Sequence, residues 1–310
     1  MQIRARKISL GKRIRRQKWV LLMLAPLLIL TIIFSYAPLA GWVMAFTDYY
    51  IGAPLFGNEW VGWDHFVRLT SYSNDLVKIL RNTVIINIVS VANNLICALV
   101  LTLLLREVHW KFGAKAVQTV TFFPYFVSAV IAYAIANSLF SVNSGAINQA
   151  LVRMGVLRRG INVLGDARYS WILMILVNLW KHTGYNTILF MSAAAGIPLE
   201  QYESADIDGA SRFQKAIYIT LPSLLPTAAV LLIMNSGWIL NSNLDMFMVF
   251  QNSTNQETME VLDMYIYKYG LKLMDYSYAT AAGIVKTGVS LVILVLVNKG
   301  VKKLSDTSIF

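Results

Sequence analysis

Residues 198–222, PLEQYESADIDGASRFQKAIYITLP, form a charged, small-residue segment set between two strongly apolar stretches. Taken alone, such a segment is either a solvated connector or a docking element. The apolar neighbours at 169–196 and 224–251 narrow the choice, because about 20 apolar residues suffice for a helix to cross a hydrocarbon core about 30 Å thick. Stretches of that kind recur at 19–46, 78–105, 116–140, 169–196, 224–251 and 276–298. Lipid offers backbone N–H and C=O groups no partners, so such stretches must be helices. The expected fold is an all-α polytopic membrane protein with six transmembrane helices.

The composition agrees, with 57% hydrophobic and only 14% charged residues among 310 and a mean hydropathy of +0.57. It implies a basic N-terminus at 1–18, a transmembrane domain at 19–298 containing the loop 197–223, and a tail at 299–310. The formal charge of +11 gathers at the two ends. Arg4, Arg6, Lys7, Lys12, Arg13, Arg15, Arg16 and Lys18 precede the first apolar run, and Lys299, Lys302 and Lys303 follow the last. Clusters flanking spans are topology signals, which argues against a nucleic-acid partner. The first run is much longer than the roughly 7–15 residues of a signal-peptide core, so it reads as an uncleaved span.

Positive residues stay on the cytoplasmic side. That rule places both termini, the loop 106–115 with Arg106, Lys111 and Lys115, and the loop 197–223 in the cytoplasm. The loop 47–77 is then external, and its Asp48, Glu59, Asp64 and Asp75 against Arg68 fit. Residues 141–168 do not fit, since Arg153, Arg158, Arg159 and Arg168 face only Asp166. Ile147, Leu151, Met154 and Leu157 form an apolar stripe there, as a helix lying along the interface would. Cys97 is the only cysteine, so no intramolecular disulfide can form.

Within 198–222, Pro198 with Glu200 and Glu203 suits a helix start. Glu203, Asp206, Ala210 and Phe213 fall on one helical face, and Asp208 and Arg212 are spaced to pair. Ala205, Gly209 and Ala210 allow a partner to approach closely, while Phe213 offers an apolar anchor for a groove. Glu203-Ser204-Ala205, Gly209, Ile219 and Leu221-Pro222 resemble the EAA signature of ABC importer permeases, with Ser204 where the pattern has alanine. Phe34-Ser-Tyr-Ala-Pro-Leu-Ala-Gly-Trp-Val-Met-Ala-Phe46, Trp60-Val-Gly-Trp63 with Phe66, Asn82-Thr83, Trp180-Lys-His-Thr-Gly184 and Met264-Tyr-Ile-Tyr-Lys-Tyr-Gly-Leu271 extend the resemblance. They are similar to the branch of sugar permeases that handles oligosaccharides and polysaccharide fragments.

That resemblance implies a type I permease fold and one of two permease subunits in a carbohydrate importer. It also implies a solute-binding protein that delivers substrate from outside, and a cytoplasmic ATPase dimer that uses ATP and Mg and binds the loop helix. The coupling residues would be Glu203, Ala205, Asp208, Gly209, Ala210, Arg212 and Phe213. No GxxxxGK[ST] phosphate loop occurs in this chain, so ATP hydrolysis would belong to another one. No serine, cysteine or metal constellation points to an enzyme, and none of the three histidines has a zinc-site partner.

Two spans carry polar groups that lipid penalises. In the fourth, Asn178, Lys181, His182 and Tyr185 share a face at helical spacing; in the fifth, Asn235, Trp238, Ser242 and Asp245 do, with Asn241 and Asn243 nearby. Ionisable groups at such depth face a protein interior or a watery path. A sugar pathway is one reading, and an internal Lys181–Asp245 pair is the other. Pro124, in Phe122-Phe-Pro-Tyr-Phe126, marks a kink or a gate in the third span. An importer for a non-sugar solute stays open, as does a proton-coupled secondary transporter using Asp245, Lys181 and His182, though that class favours repeated halves with broken spans.

Overall fold

A computed structural model describes residues 17–71 and 73–305. Most of the basic 1–18 segment and the end of the 299–310 tail lie outside the described residues. Helices dominate, and among the described residues the only β pairing is an isolated bridge between Thr47 and Trp60.

Helix α1, Lys18–Thr31, continues through wider turns at Ile32–Tyr36 and tighter ones at Ala37–Phe46. The short α2, Asp64–Ser71, leads to the long α3, Ser73–Glu107. Helix α4, Lys111–Phe122, runs into a tight turn at Phe123–Phe126, and α5 spans Ala129–Phe140. After α6, Ala146–Arg153, comes α7, Ala167–Ala195. The loop holds α8, Leu199–Ile207, and α9, Arg212–Lys215. Then follow α10, Leu221–Ser236; α11, Leu244–Phe250; α12, Gln256–Met259; α13, Leu262–Tyr267; and α14, Tyr276–Ser305.

Among the described residues, four helical stretches are long and apolar enough to cross a membrane: Lys18–Phe46, Asp75–Glu107, Arg212–Ser236 and Tyr276–Lys303. A fifth results if 112–126 and 129–140, bent by 110°, count as one. The expected continuous span at 116–140 is therefore broken. Pro124 sits in the tight turn, Val127 is extended, and the Ser128 hydroxyl caps α5 by accepting the Ile131 N–H at 3.3 Å. Helix α7 has 29 residues, enough for about 43 Å at 1.5 Å per residue. Its polar stripe keeps it out of the apolar set.

The expected span at 224–251 also differs. Its helix starts in the loop, at Arg212, and ends at Ser236. Turns occupy 237–243, with the Asn241 N–H donating to Trp238 O at 2.8 Å, before Asn243 caps α11. Short polar side chains offer the backbone local alternatives to a helix, and Asn241-Ser242-Asn243 is such a cluster. The stripe expected over Ile147–Leu157 is cut in the same way, since α6 ends at Arg153 and Gly155 takes φ +71°.

The largest helix–helix interface joins α3 to α7. Leu95 and Ala98 of α3 pack with Phe190 and Ala194 of α7 and with Leu224 and Leu231 of α10. Higher along the same helices, Ile86, Leu173 and Met174 join Met246, Phe247 and Phe250 of α11 and Met259 of α12. Gly184 makes the contact between α4 and α7 possible, because a Cβ there would lie 2.0 Å from the Thr121 carbonyl oxygen. Asn82-Thr83 is also structural: the Asn82 amide donates to Glu257 O and Glu260 O at 2.8 and 3.1 Å, and Thr83 Oγ1 accepts the Leu262 N–H at 2.9 Å.

Candidate functional site

The loop between α7 and α10 is ordered by its own side chains. Gly209 ends α8 with φ +72°, a left-handed conformation that favours glycine. Ser211 and Gln214 then form a reciprocal capping box that starts α9. The loop is thus two short helices meeting at a turn, so Glu203, Asp206, Ala210 and Phe213 do not share one continuous helical face. The expected Asp208–Arg212 pair is replaced by Asp206–Lys215 at 2.6 Å. Ser204, at the alanine position of the pattern, donates to Glu200 O at 2.8 Å, which satisfies its hydroxyl within the helix.

Glu203, Asp208, Gly209, Arg212 and Phe213 are exposed, while Ala205 and Ala210 are half-buried. Phe213 is 73% exposed, and Ile207, which the sequence reading did not select, is 87% exposed. The signal for Ile207 was present as a lone branched apolar residue in a charged helix. The loop is tied to the bundle by the Tyr202 hydroxyl, 2.8 Å from Thr220 Oγ1, and by Arg106. The Arg106 guanidinium lies over the Tyr202 ring and donates to Ala194 O at the end of α7. Helix α9, the wide turn Ala216–Thr220 and α10 run on without a break, so Arg212 and Asn235 belong to one rod.

Asn235 lies at the edge of a cavity of about 510 Å³ between α3, α7 and α10. Helix α7 contributes Asn178, His182 and Tyr185 to its wall; Asn235, Trp238 and Asn241 come from the other side. Tyr125 stacks on Tyr185 with ring centroids 4.7 Å apart and meets His182 edge-on at 5.7 Å. Lys181 and Asn243 line an adjoining cavity of about 230 Å³ that shares Asn87, Asn178, His182 and Asn241 with the first. A third space of about 560 Å³, sharing Trp238 and Asn241, lies against α13 and α14 and includes Asp263 and Lys286.

The structure does not form the Lys181–Asp245 pair. The Lys181 ammonium donates to the Val127 carbonyl at the α4–α5 bend, while Asp245 is exposed in the first turn of α11 and lines none of these three cavities. Nor is Ser242 a wall residue of them. Its hydroxyl accepts from Asn87 at 3.2 Å, and its N–H donates to Asp263 Oδ2 at 2.6 Å. The charge pair in this region is Lys286 with Asp263, joining α14 to α13.

These features coincide with a family match. The family described as "Binding-protein-dependent transport system inner membrane component" matches residues 83–305. The chain belongs to that family. It is 35% identical over 305 residues to Protein LplB of Bacillus subtilis (strain 168), covering 98% of this chain and 94% of that protein. It is also 35% identical to the polygalacturonan/rhamnogalacturonan transport system permease protein YteP of the same strain, covering 95% and 91%. Among solved structures, a chain of a bacterial alginate ABC transporter, in complex with an alginate pentasaccharide-bound periplasmic protein, superposes with TM-score 0.87 at 34% identity, covering 97% and 99%.

The permease has wall residues that the two predicted stripes did not include. Asn87, Ser90 and Asn94 of α3 line the cavity of about 510 Å³, and Asn94 Nδ2 donates to Asn178 Oδ1 at 2.7 Å. Ser90 Oγ and Asn94 Oδ1 are buried without a hydrogen-bond partner, which is costly unless a ligand or water completes them. Thr83, Asn87, Ser90 and Asn94 recur at spacings of 4, 3 and 4 inside an apolar span. That is the same helical signal that revealed Asn178, Lys181, His182 and Tyr185.

Proposed function

We propose that the protein is one half of a permease pair in an ATP-driven carbohydrate importer, moving oligosaccharides or polysaccharide fragments along the cavity between α3, α7 and α10. The observation that carries this reading is the wall itself. Amides, a stacked Tyr125–Tyr185 pair and Trp238 enclose about 510 Å³. Side-chain amides match sugar hydroxyls as both donors and acceptors, and aromatic faces match the C–H faces of sugar rings. YteP is named for polygalacturonan and rhamnogalacturonan transport, and the solved relative is an alginate transporter. Both names support a saccharide cargo.

In this reading α7 is a sixth span despite its polar stripe, both termini and the loop face the cytoplasm, and a solute-binding protein delivers cargo on the opposite side. A separate ATPase dimer seats against Glu203, Ala205, Asp208, Gly209, Ala210, Arg212 and Phe213, with Ile207 added as a second apolar contact. Its closure would push α9, and α10 would carry the displacement to Asn235 and the cavity, a rigid-element transition between inward-open and outward-open states. The loop's exposed Phe213 and its continuity with α10 support that route.

The test uses the importer purified with its associated chains and returned to lipid vesicles. ATP-dependent uptake of an oligogalacturonide or alginate oligosaccharide is expected. Gly209→Trp should abolish uptake while the protein still reaches the membrane, because it strains a left-handed turn and adds bulk at the docking face. Normal uptake by that variant removes the docking role. Uptake that survives ATP depletion and collapses with the proton gradient overturns the whole reading in favour of a secondary transporter.

A further inference from the structure

Lys181 is 7% exposed. Its ammonium has three donors and makes one hydrogen bond, to the Val127 carbonyl. Among the described residues no carboxylate lies within ion-pair distance of it, and none lines the cavity it faces or the larger one adjoining. The other wall groups there are neutral amides, hydroxyls, aromatic rings, aliphatic side chains such as Ile86, Met174 and Val177, and His182. This is unlike the other cation of the interior, Lys286, which is paired with Asp263. A buried charge is expensive unless it is paired or hydrogen-bonded, and one carbonyl leaves two donors of Lys181 without an acceptor.

From this geometry we infer that Lys181 is an anion subsite of the translocation cavity, and that the cargo is a saccharide bearing a carboxylate or phosphate. The inference rests on the carbohydrate pathway proposed above and adds its charge. Val127 lies at the 110° bend between 112–126 and 129–140, so its carbonyl holds the ammonium in place against the cavity. Asn178 lies three residues before Lys181 in α7, and Asn87 and Asn241 line the same space, which leaves room for one anionic group flanked by amides. A neutral sugar would leave the charge uncompensated at each passage. An anionic one supplies the missing partner, and a charge-assisted hydrogen bond is about twice as strong as a neutral one.

The experiment compares matched cargoes in the complete importer in vesicles: trigalacturonate, its fully methyl-esterified counterpart, and a sugar phosphate. The variant lies in the permease alone, so the variant-to-wild-type ratio for each cargo cancels the binding protein's own preference. Lys181→Gln should lower trigalacturonate uptake about tenfold or more while changing the neutral ester less than about twofold, and Lys181→Arg should restore most of the loss. A loss confined to the sugar phosphate assigns the anion as phosphate, and one confined to trigalacturonate assigns it as carboxylate. Equal losses for neutral and anionic cargo mean that Lys181 only braces the bend, and they overturn the inference while leaving the carbohydrate pathway standing. Failure of every saccharide in the wild-type importer overturns the pathway instead. Should Lys181→Gln not fold, Lys181→Met is read by the same cargo ratios: a loss for trigalacturonate well beyond that for its ester is expected, and equal losses count against the subsite.

Discussion

In α7 the side chains of Asn178, His182 and Tyr185 leave one continuous helix toward the cavity, whereas Asn235, Trp238 and Asn241 reach it from a helix end and from the turns after it. The first wall is positioned by its own backbone hydrogen bonds. The second depends on distant residues, since Asn87 Nδ2 donates to Ile239 O at 2.7 Å and Asp263 accepts the Ser242 N–H. A wall held by tertiary contacts can be reset by whatever moves those contacts, and this wall is continuous through α10 with the loop at Arg212. The rigid side of the cavity and its adjustable side therefore have different points of weakness.

Breaking the adjustable side has the larger expected effect. Asp263 and Lys286 side chains are 19% and 12% exposed, and Asp263 also accepts the Ser242 N–H. Asp263→Ala leaves a cation and a backbone donor without partners, and removing one member of a largely buried pair costs about 3 kcal/mol. Thermal unfolding of the purified protein should show the loss. Asp263→Ala combined with Lys286→Met should recover part of the stability, since no charge is then stranded. A single variant as stable as wild type would mean that the turn is held by other contacts.

On the rigid side, Gly184→Ala tests whether α7 is fixed by how closely α4 approaches it. The added Cβ would meet backbone atoms of Thr121 and Phe122 at 2.0 to 2.6 Å, where no side chain can swing aside. Overpacking of this kind costs about 2 kcal/mol. The same shift separates Tyr125 from Tyr185, so uptake should fall together with the melting temperature. Unchanged stability would show that the α4–α7 contact has slack.

The helical class and the extent of the first, second and last apolar helices were legible because long apolar runs in lipid have one solution. The polar stripe of α7 was legible for the same reason, and the equivalent stripe in α3 could have been. Three features were not. Spacing alone cannot show that 235–245 leaves the helix at Ser236, because the decision belongs to Asp263 and Asn87, each more than twenty residues distant or on another helix. Spacing left Lys181 a choice between a cavity role and a pair with Asp245; the break after Ser236 carries Asp245 away, and the separate bend at 127–128 brings the Val127 carbonyl to the ammonium. In the loop, the left-handed turn at Gly209 separates two helices where residue spacing suggested one.

The helix caps give the smallest and most selective comparison. Asn243 starts the seven-residue α11 by accepting the Met246 N–H at 3.3 Å, and Asp166 starts α7 by accepting the Arg168 N–H at 2.9 Å. Asn243→Ala should cost about 1 kcal/mol, because a short helix depends heavily on its cap. Asp166→Asn keeps a capping oxygen but loses the charge that Arg168 stabilises, so at neutral pH it should melt slightly below wild type. Its signature lies in acid. Hydrogen bonds from the Arg168 side chain and backbone hold the Asp166 carboxyl below its ordinary range, so its contribution is present above the unfolded pKa and is lost as pH falls through the lower folded value. Melting curves of wild type and Asp166→Asn should therefore converge as pH drops below about 4. Curves that stay parallel through that window would assign the start of α7 to packing alone, leaving the adjustable wall as the only one whose geometry depends on a polar cap.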